Sequence, residues 1–551
     1  MKEGLRQSMA WLHTWCGLLV CWVLLLVFAG GSASYFKEEI SLWMMPELHA
    51  SAAAPVTQAQ AIERAAAYLQ QRAPQAERWF ITLPDQRSVA MRVGWIASPA
   101  AAGKEAASSP RSRFKSERID AATGQPLARV RDTRGGEFLY RLHFDLHYLP
   151  VQWARWIVSV CALFMLVAIV SGVITHRRIF ADFFTFRRNK GQRSWLDAHN
   201  ATAVLALPFH LMITYTGLIT LMFMIMPWGV QTAYREQGGE KAFFEEVFPG
   251  GAGRVKAAGV AAPLTSLPAL AERARQHWQG APLALVVVNN PGDAKATAVI
   301  TRQKLATLSS LQPALVFDGV SGRQLAAAGE APSATAVTRG ALVGLHLAHF
   351  ADPWLRALFF LCGLCGYLMV ATGALLWAVK TRQKQAKAIV AGARAGFGLR
   401  LVEALNLGAI AGLPIAFAGY FWANRLLPVE MAGRAQMEIH LFFAAWALAA
   451  VLAQIRPSLG MWRLQLGAGA LLFLGLPLLN VFTTDSHLGV TLLQGRGPWA
   501  VAGCDLTLLA LGSVLALAAS LLARHQRARH ERAVQGPARR TAHPAVAKEI
   551  T

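Results

Sequence analysis

Residues 12–31 have the sequence LHTWCGLLVCWVLLLVFAGG, an apolar run long enough to cross about 30 Å of hydrocarbon as a helix. The basic start MKEGLR before it and the small residues after it also resemble a secretory signal peptide. We predict a retained membrane helix instead. The run is long and includes His13 and Trp15, which a leader that is cleaved off does not need.

The composition assigns the whole chain to the membrane proteins. Of 551 residues, 54% are hydrophobic and only 15% are charged, whereas soluble proteins carry about 25% charged residues. Further long apolar runs predict a polytopic α-helical protein with about eight transmembrane helices. The net charge of +23 comes from basic residues that flank these runs. This is the positive-inside pattern, and it disfavours nucleic acid as a partner.

The predicted organisation alternates membrane helices with soluble blocks. The segments are 1–36 (first helix), 37–150 (first soluble block), 151–176 (second helix), 177–198 (loop), 199–226 (third helix), 227–350 (second soluble block), 351–380 (fourth helix), 381–400 (loop), 401–523 (four-helix extension) and 524–551 (basic tail). The distribution of Lys and Arg predicts that both termini are cytoplasmic and both soluble blocks periplasmic. Residues 99–112 and the tail are predicted to be disordered.

An internal repeat covers the first 380 residues. A shift of 186 places the first helix on the third, so that His13 meets His199 and Gly31 meets Gly217. A shift of 201 brings Gly172 onto Gly373, and a shift of 198 brings DAATG (120–124) onto DGVSG (318–322). We expect the two D-x-x-[ST]-G stretches to form hairpin turns with a left-handed glycine. The repeat predicts a duplicated unit of helix, soluble domain and helix, with the four helices in one bundle.

These features resemble the PepSY-associated transmembrane family of bacterial inner-membrane proteins. The resemblance is carried by LHTWCGLL (12–19), the two D-x-x-[ST]-G turns, LDAHNATAVLALPFHLMITYTGL (196–218) and LHLAHF (345–350). It implies two periplasmic α+β PepSY-like domains. It also implies similarity to iron-regulated proteins and ferric-siderophore reductases that bind b-type haem. Residues 401–523 resemble an extension found in longer members.

Histidines lie at two levels of the predicted helices and are the candidate cofactor ligands, because ionisable residues in a membrane are costly and usually functional. The candidates are His13, His143, His147, His176, His199, His210, His346 and His349. His13, His176 and His199 mark the cytoplasmic level. The pairs His143/His147 and His346/His349 mark the outer level, and His210 lies deeper in the third helix.

Imidazoles at two depths favour haem over a bare metal ion. Haem iron in electron carriers takes two axial side chains, whereas zinc needs three or four convergent ligands. The chain has no C-x-x-C-H, which excludes covalent attachment of haem. His199 and His210 are eleven residues apart, so a straight helix would present both on one face about 16 Å apart. We therefore predict b-type haem, with two haems stacked in the bundle.

The ligand pairs are assigned by symmetry. Our first choice for the inner level is His13 with His199. At the outer level, one of His143/His147 pairs with one of His346/His349, with His210 as a competitor. His176 has no histidine counterpart in the second copy, where Trp377 occupies the equivalent position.

Two functional hypotheses follow. In the first, the protein is an oxidoreductase that passes electrons across the inner membrane to a periplasmic ferric siderophore or similar acceptor. The chain has no nucleotide-binding motif, so a quinol or a partner reductase must be the donor. In the second, the protein is not an enzyme, and its PepSY-like domains bind or regulate a periplasmic protein or peptide. Transport ranks below both, and the sequence indicates no catalytic residues.

Overall fold

The computed structural model describes residues 3–49, 56–85, 87–88, 90–98, 113–127, 130–176, 181, 183, 185–187, 190–248, 255–304 and 307–535. The predicted linker 99–112 and residues 536–551 of the tail lie outside these ranges. The chain divides into two compact units. The first comprises Met1–Arg131, Gly135–Phe183 and Ala201–Tyr367, and the second comprises Asp132–Arg134, Phe184–Asn200 and Leu368–Thr551.

Most of the described chain is helical. The helices are α1 (Glu3–Ser34), α2 (Lys37–Trp43), α3 (Gln58–Arg72), α4 (Gly135–Asp145), α5 (Val151–Thr175), α6 (Gln192–Leu205), α7 (Leu207–Thr220), α8 (Met222–Ile225), α9 (Pro227–Ala233), α10 (Glu240–Val247), α11 (Leu267–His277), α12 (Ala334–Leu347), α13 (Pro353–Lys384), α14 (Ala386–Val390), α15 (Phe397–Ile410), α16 (Gly412–Leu426), α17 (Arg434–Ile455), α18 (Leu459–Thr483) and α19 (Trp499–Gln535). Single helical turns lie at Pro46–Leu48, Arg235–Gln237 and Gly489–Leu493.

The two soluble blocks share one sheet in the first unit. Its strands are β1 (Arg78–Thr82), β2 (Met91–Ile96), β3 (Phe114–Ile119), β4 (Leu283–Asn289), β5 (Thr297–Arg302), β6 (Ala314–Asp318) and β7 (Gln324–Ala328). The order is β3-β2-β1-β4-β5-β6-β7, with every pair antiparallel. β1 and β4 join the blocks, from Arg78 opposite Asn289 to Thr82 opposite Leu285. The sequence indicates two α+β blocks but not this continuity.

One face of the sheet is covered by α3 and α11, the helix that precedes the first strand of each block. Both helices begin at a side-chain cap, where Thr57 accepts from the amide of Gln60 and Ser266 accepts from the amide of Ala269. Alternate residues of β1 and β4 point toward the helices, so that Ile81 and Val286 are fully buried. The two blocks therefore share one hydrophobic core.

The two D-x-x-[ST]-G turns have the same geometry. Asp120 accepts from the amides of Ala122 and Thr123, and Asp318 accepts from the amides of Val320 and Ser321. The glycines that follow, Gly124 and Gly322, have φ of 72° and 71°. This conformation strains any residue with a Cβ. The predicted left-handed glycines are confirmed.

Small residues let the helices of the first unit approach closely. α1 packs against α4 and α5, and α7 packs against α5 and α12. A Cβ at Gly363 would lie 2.1 Å from the hydroxyl of Ser32, and one at Gly366 would lie 2.3 Å from the ring of Phe28. Van der Waals contact between such close backbones is a main source of helix association in lipid.

The predicted third span is broken. α6 and α7 meet at Ala206 with a bend of 68°. Pro208 lies in the first turn of α7, where it lacks the N–H that would continue the α6 hydrogen-bond ladder. The prediction that a straight helix presents His199 and His210 on one face is therefore wrong.

Within the described residues, seven helices are long and apolar enough to span a membrane, or up to eight if α6 and α7 form one span. The seven are Gly4–Ser34, Val151–Thr175, Pro353–Lys384, Phe397–Leu426, Arg434–Ile455, Leu459–Thr483 and Trp499–Ala528. The protein is thus a multi-pass membrane protein. The predicted disorder of the tail is wrong for residues 524–535, which continue α19 as helix.

The second unit contains a pair of oppositely charged side chains that are fully buried. Arg434 and Glu438 form an ion pair on α17, and both side chains are fully buried. Glu438 also accepts from Thr133 at 2.5 Å and from Asn424 at 2.8 Å. A fully desolvated pair is tolerated only when its remaining hydrogen-bonding capacity is met by such neighbours.

A second branch of this network begins at Arg425. Its guanidinium donates to the side chain of Asn424 at 2.8 Å and to that of Asn480 at 2.7 Å, and Asn480 donates to Asp505 at 2.7 Å. These contacts connect α16, α18 and α19. Buried polar side chains with several partners fix how helices pack against one another in a lipid environment.

Candidate functional site

His13 lies against a glycine of α5. Its Nδ1 is 2.8 Å from the carbonyl oxygen of Ala168. A Cβ at Gly172, one turn further along, would lie 3.0 Å from Cε1 and 3.1 Å from Nδ1 of the ring. The glycine therefore creates the space in which the imidazole of His13 is held.

His199 has the same environment in the second unit. Its Nδ1 is 2.8 Å from the carbonyl oxygen of Met369, and a Cβ at Gly373 would lie 3.1 Å from its Cε1. Ala168 and Met369 are related by the same shift of 201 residues as Gly172 and Gly373. Both copies of the repeat thus hold an imidazole on a glycine with the same carbonyl contact.

The carbonyl contact fixes the tautomer of both rings. A carbonyl oxygen can only accept a hydrogen bond, so Nδ1 of His13 and of His199 carries the proton. In the neutral ring the lone pair then lies on Nε2. Histidines that ligate metals almost always donate their other ring N–H to a carbonyl, carboxylate or water. Both residues therefore have the hydrogen bonding expected of a ligand.

At the outer level, His143 of α4 and His346 of α12 take up related positions in the first unit. His143 packs on α1, where a Cβ at Gly30 would lie 3.2 Å from the Cβ of His143. His346 packs on α7, where a Cβ at Gly217 would lie 3.1 Å from its Cε1. The two imidazoles are near enough to interact electrostatically. Of the outer candidates, these two are brought together.

Thr216 distinguishes the two outer histidines. Its hydroxyl donates to the carbonyl oxygen of Met212 at 2.7 Å, so its oxygen accepts from Nδ1 of His346 at 3.1 Å. The residue equivalent to Thr216 in the first copy is Gly30, which has no hydroxyl. Nδ1 of His143 is accordingly buried without a hydrogen-bond partner.

The other outer candidates point elsewhere. His147 has φ of 53° and packs edge-on against Phe138, with ring centroids 5.6 Å apart. His349 follows α12, is exposed, and has Nδ1 2.5 Å from Nζ of Lys304. Neither packs on a membrane-helix glycine as His143 and His346 do.

The last two candidates lie on the helices themselves. His176 ends α5, where its amide donates to the carbonyl oxygen of Gly172 at 3.1 Å. His210 is fully buried on α7, edge-on to Phe28 and Phe209, and neither ring nitrogen has a hydrogen-bond partner. A buried imidazole without a partner is energetically costly, so His210 stays a candidate.

Among the described residues, no three His, Cys, Asp or Glu side chains converge as they do in a zinc site. Cys362 and Cys365 are free thiols, half-buried on α13. In this part of the chain, four of the imidazoles pack against a glycine of a neighbouring helix: those of His13, His143, His199 and His346.

Reasoning from the sequence missed the groups that hold the imidazoles. Thr216 is one, and the carbonyl groups of Ala168 and Met369 are others. The repeat carried a usable signal, because Gly172 and Gly373 coincide under the same shift that aligns the helices. It also missed the buried Arg434 and Glu438, of which Glu438 carried a signal as a charge within a predicted membrane helix.

Comparison with known proteins agrees with the extent of the repeat. Residues 10–380 match the family described as the PepSY-associated TM region. An uncharacterized protein of Pseudomonas aeruginosa is 27% identical over 380 residues, which cover 66% of this chain and 89% of that protein. The family match thus includes all eight candidate histidines and ends within α13.

Proposed function

The chain belongs to the PepSY-associated TM region family, and from that premise we propose that it is a b-type haem electron-transfer protein of the bacterial inner membrane. The main support is the repeated placement of an imidazole on a membrane-helix glycine with Nδ1 bonded to a backbone carbonyl, at His13 and at His199.

The residues fit axial ligation of haem at the outer level. His143 and His346 come from different helices, and their imidazoles are within electrostatic range. The Nδ1–Thr216 contact of His346 is the hydrogen bond expected of a ring whose other nitrogen binds a metal, whereas Nδ1 of His143 is buried without such a partner. We propose these two as one ligand pair. The pairing of His13 with His199 stays a prediction from the repeat.

Haem, when bound, supplies a one-electron redox centre whose potential depends on its ligands and on burial. The task of the chain is then to orient the imidazoles, keep them neutral and exclude water. Gly172 and Gly373 hold two rings, and Thr216 fixes a third. No nucleotide motif is present in the sequence, so we propose a quinol or a partner reductase as donor.

The acceptor we propose is a ferric siderophore or a similar periplasmic chelate. Placement of the seven-stranded sheet in the periplasm and of both termini in the cytoplasm follows from the Lys and Arg clusters at 177–193, 380–400 and the tail. Reduction to iron(II) weakens binding by hard oxygen donors, and this releases the metal.

The decisive measurement is the absorption spectrum of the detergent-purified protein, oxidised and then reduced with dithionite. We expect a Soret band and sharp reduced α and β bands, and a pyridine haemochrome of the b type. A monodisperse, folded preparation grown with sufficient haem but lacking these bands would refute the proposal.

One observation favours a second candidate function. β7 is an edge strand of the sheet, and four of its five side chains are exposed. Such an edge can bind an extended peptide as an additional strand. A colourless, folded protein that captures a periplasmic peptide or protein would favour this non-enzymatic binding function over electron transfer.

A further inference from the structure

Three basic side chains from separate segments of the first unit lie within electrostatic range of His349. Lys37 begins α2, Arg87 lies between β1 and β2, Lys304 follows β5, and His349 follows α12. Nζ of Lys304 is 2.5 Å from Nδ1 of His349. Lys37 and Arg87 interact electrostatically with His349.

Two of these cations already have counter-ions. Lys37 pairs with Glu38 at 3.4 Å and with Glu137 at 3.2 Å, and Arg87 pairs with Glu39 at 2.7 Å. Lys304 differs, because in the described part of the chain it makes no ion pair with a carboxylate and its recorded contact is to an imidazole. Partial burial and, second, the charge of Lys37 lower the pKa of Lys304 to about 8.

We propose that Lys304 and His349, with Lys37 and Arg87 around them, form a carboxylate-binding site. A carboxylate between Lys304 and its basic neighbours would provide the counter-ion that the described residues do not supply. Charge-assisted hydrogen bonds of this kind are about twice as strong as neutral ones. His349 positions Lys304 by accepting its hydrogen bond.

The carboxylate has two possible sources with the same chemistry. His346, a proposed haem ligand, is three residues before His349, so a haem propionate is one source. A carboxylate-bearing ferric chelate that arrives as electron acceptor is the other. Both sources rest on the proposed function, whereas binding of a free carboxylate such as citrate requires only the site.

The test compares Lys304→Gln with Lys256→Gln in the full-length protein, reconstituted in phosphatidylcholine nanodiscs. Lys256 is an exposed lysine of the same block and serves as the matched control. Three probes are titrated: citrate, haem and haem dimethyl ester, whose propionates are blocked. Lys304→Arg, which keeps the charge, and His349→Gln provide further variants in case Lys304→Gln does not fold.

We expect Lys304→Gln to weaken binding of citrate or of haem about tenfold, as loss of a charged hydrogen bond implies, and Lys256→Gln to change neither. An effect on haem that disappears with the dimethyl ester assigns the site to a propionate. An effect on citrate assigns it to an incoming chelate. Equal affinities of the wild type and Lys304→Gln for all three probes would overturn the site. A protein that takes up no haem would refute the proposed function and leave the citrate titration to decide the site.

Discussion

The hydroxyl of Thr216 and the imidazole of His346 are joined by a contact of 3.1 Å between Oγ1 and Nδ1, although one lies on α7 and the other on α12. The same hydroxyl donates to its own helix at Met212. The threonine therefore acts as an acceptor for the ring and determines which nitrogen of His346 carries the proton.

Replacement of Thr216 by Val removes this acceptor at nearly constant volume. We expect haem affinity to fall about 10–100-fold, the usual effect of losing a hydrogen-bond partner of a metal-binding histidine. Haem titration and the reduction potential measure the effect. Thr214→Val is the control, because the hydroxyl of Thr214 likewise donates to a carbonyl oxygen of its own helix, that of His210, and within the described residues it is not bonded to His346. Equal losses in both variants would contradict the assigned role.

Gly172→Ala and Gly373→Ala test the space in which His13 and His199 are held. The new Cβ would lie about as close as 3.0 Å and 3.1 Å to the Cε1 atoms of these rings. We expect the rings to be displaced, the haem content to fall, and the free energy of unfolding to fall by about 1–3 kcal/mol, the usual cost of overpacking.

Gly17→Ala is the control for this pair, since a Cβ at Gly17 would meet nothing within 4 Å. Alanine favours a helix over glycine by about 1 kcal/mol, so the control should retain haem with unchanged or higher stability. Normal haem content in Gly172→Ala and Gly373→Ala would show that the close approach of the rings has no function.

Alanine variants of the histidines test the ligand pairs. We expect His143→Ala and His346→Ala each to remove about half of the haem, and the double variant to lose no more, because two axial ligands serve one iron. His13→Ala combined with His143→Ala should remove nearly all of it. Haem per protein, from the pyridine haemochrome, is the measurement, and His440→Ala is the control, because His440 is an exposed histidine of α17, beyond the repeat. Additive losses from His143 and His346 would disprove that pair.

The buried ion pair of the second unit predicts a stability effect. Arg434→Met leaves Glu438 charged and fully buried, and we expect the free energy of unfolding to fall by about 3–5 kcal/mol. Adding Glu438→Leu should restore part of this loss, because no uncompensated charge then remains. Unfolding in sodium dodecyl sulfate measures the difference, with exposed Arg456→Met as control. A loss below about 1 kcal/mol in Arg434→Met would mean that the pair is not desolvated.

Features that follow from hydropathy and repetition were predicted from the sequence. The membrane helices, the α+β blocks and the glycine turns at Gly124 and Gly322 belong to this group. The bend at Ala206 was not predicted, although the sequence contains Pro208. In an apolar run, a proline in the first turn of a new helix cannot be distinguished from a proline inside a continuous helix. The sheet continuity was missed because pairing between β1 and β4 is a long-range contact without a local pattern.

The sequence predicted which histidines belong to the candidate site, but not which groups each histidine contacts. The sequence offered four histidines for two outer ligand positions. The packing of His143 and His346 on glycines distinguishes these two from His147 and His349. The carbonyl of Ala168 accepts through the backbone, which every residue has, so the sequence contains no residue type that would reveal it. The buried Arg434 and Glu438 satisfy each other four residues apart on α17, a spacing that also occurs on solvated helices.

The junction between β1 and β4 also relates the two copies of the repeat to each other. Each is the first strand after the capped helix of its copy, and the two run antiparallel. Antiparallel pairing of equivalent strands is what a twofold axis produces when identical subunits associate edge to edge. The junction therefore has the geometry that two identical subunits would have edge to edge, and in this chain each copy covers the open strand of the other.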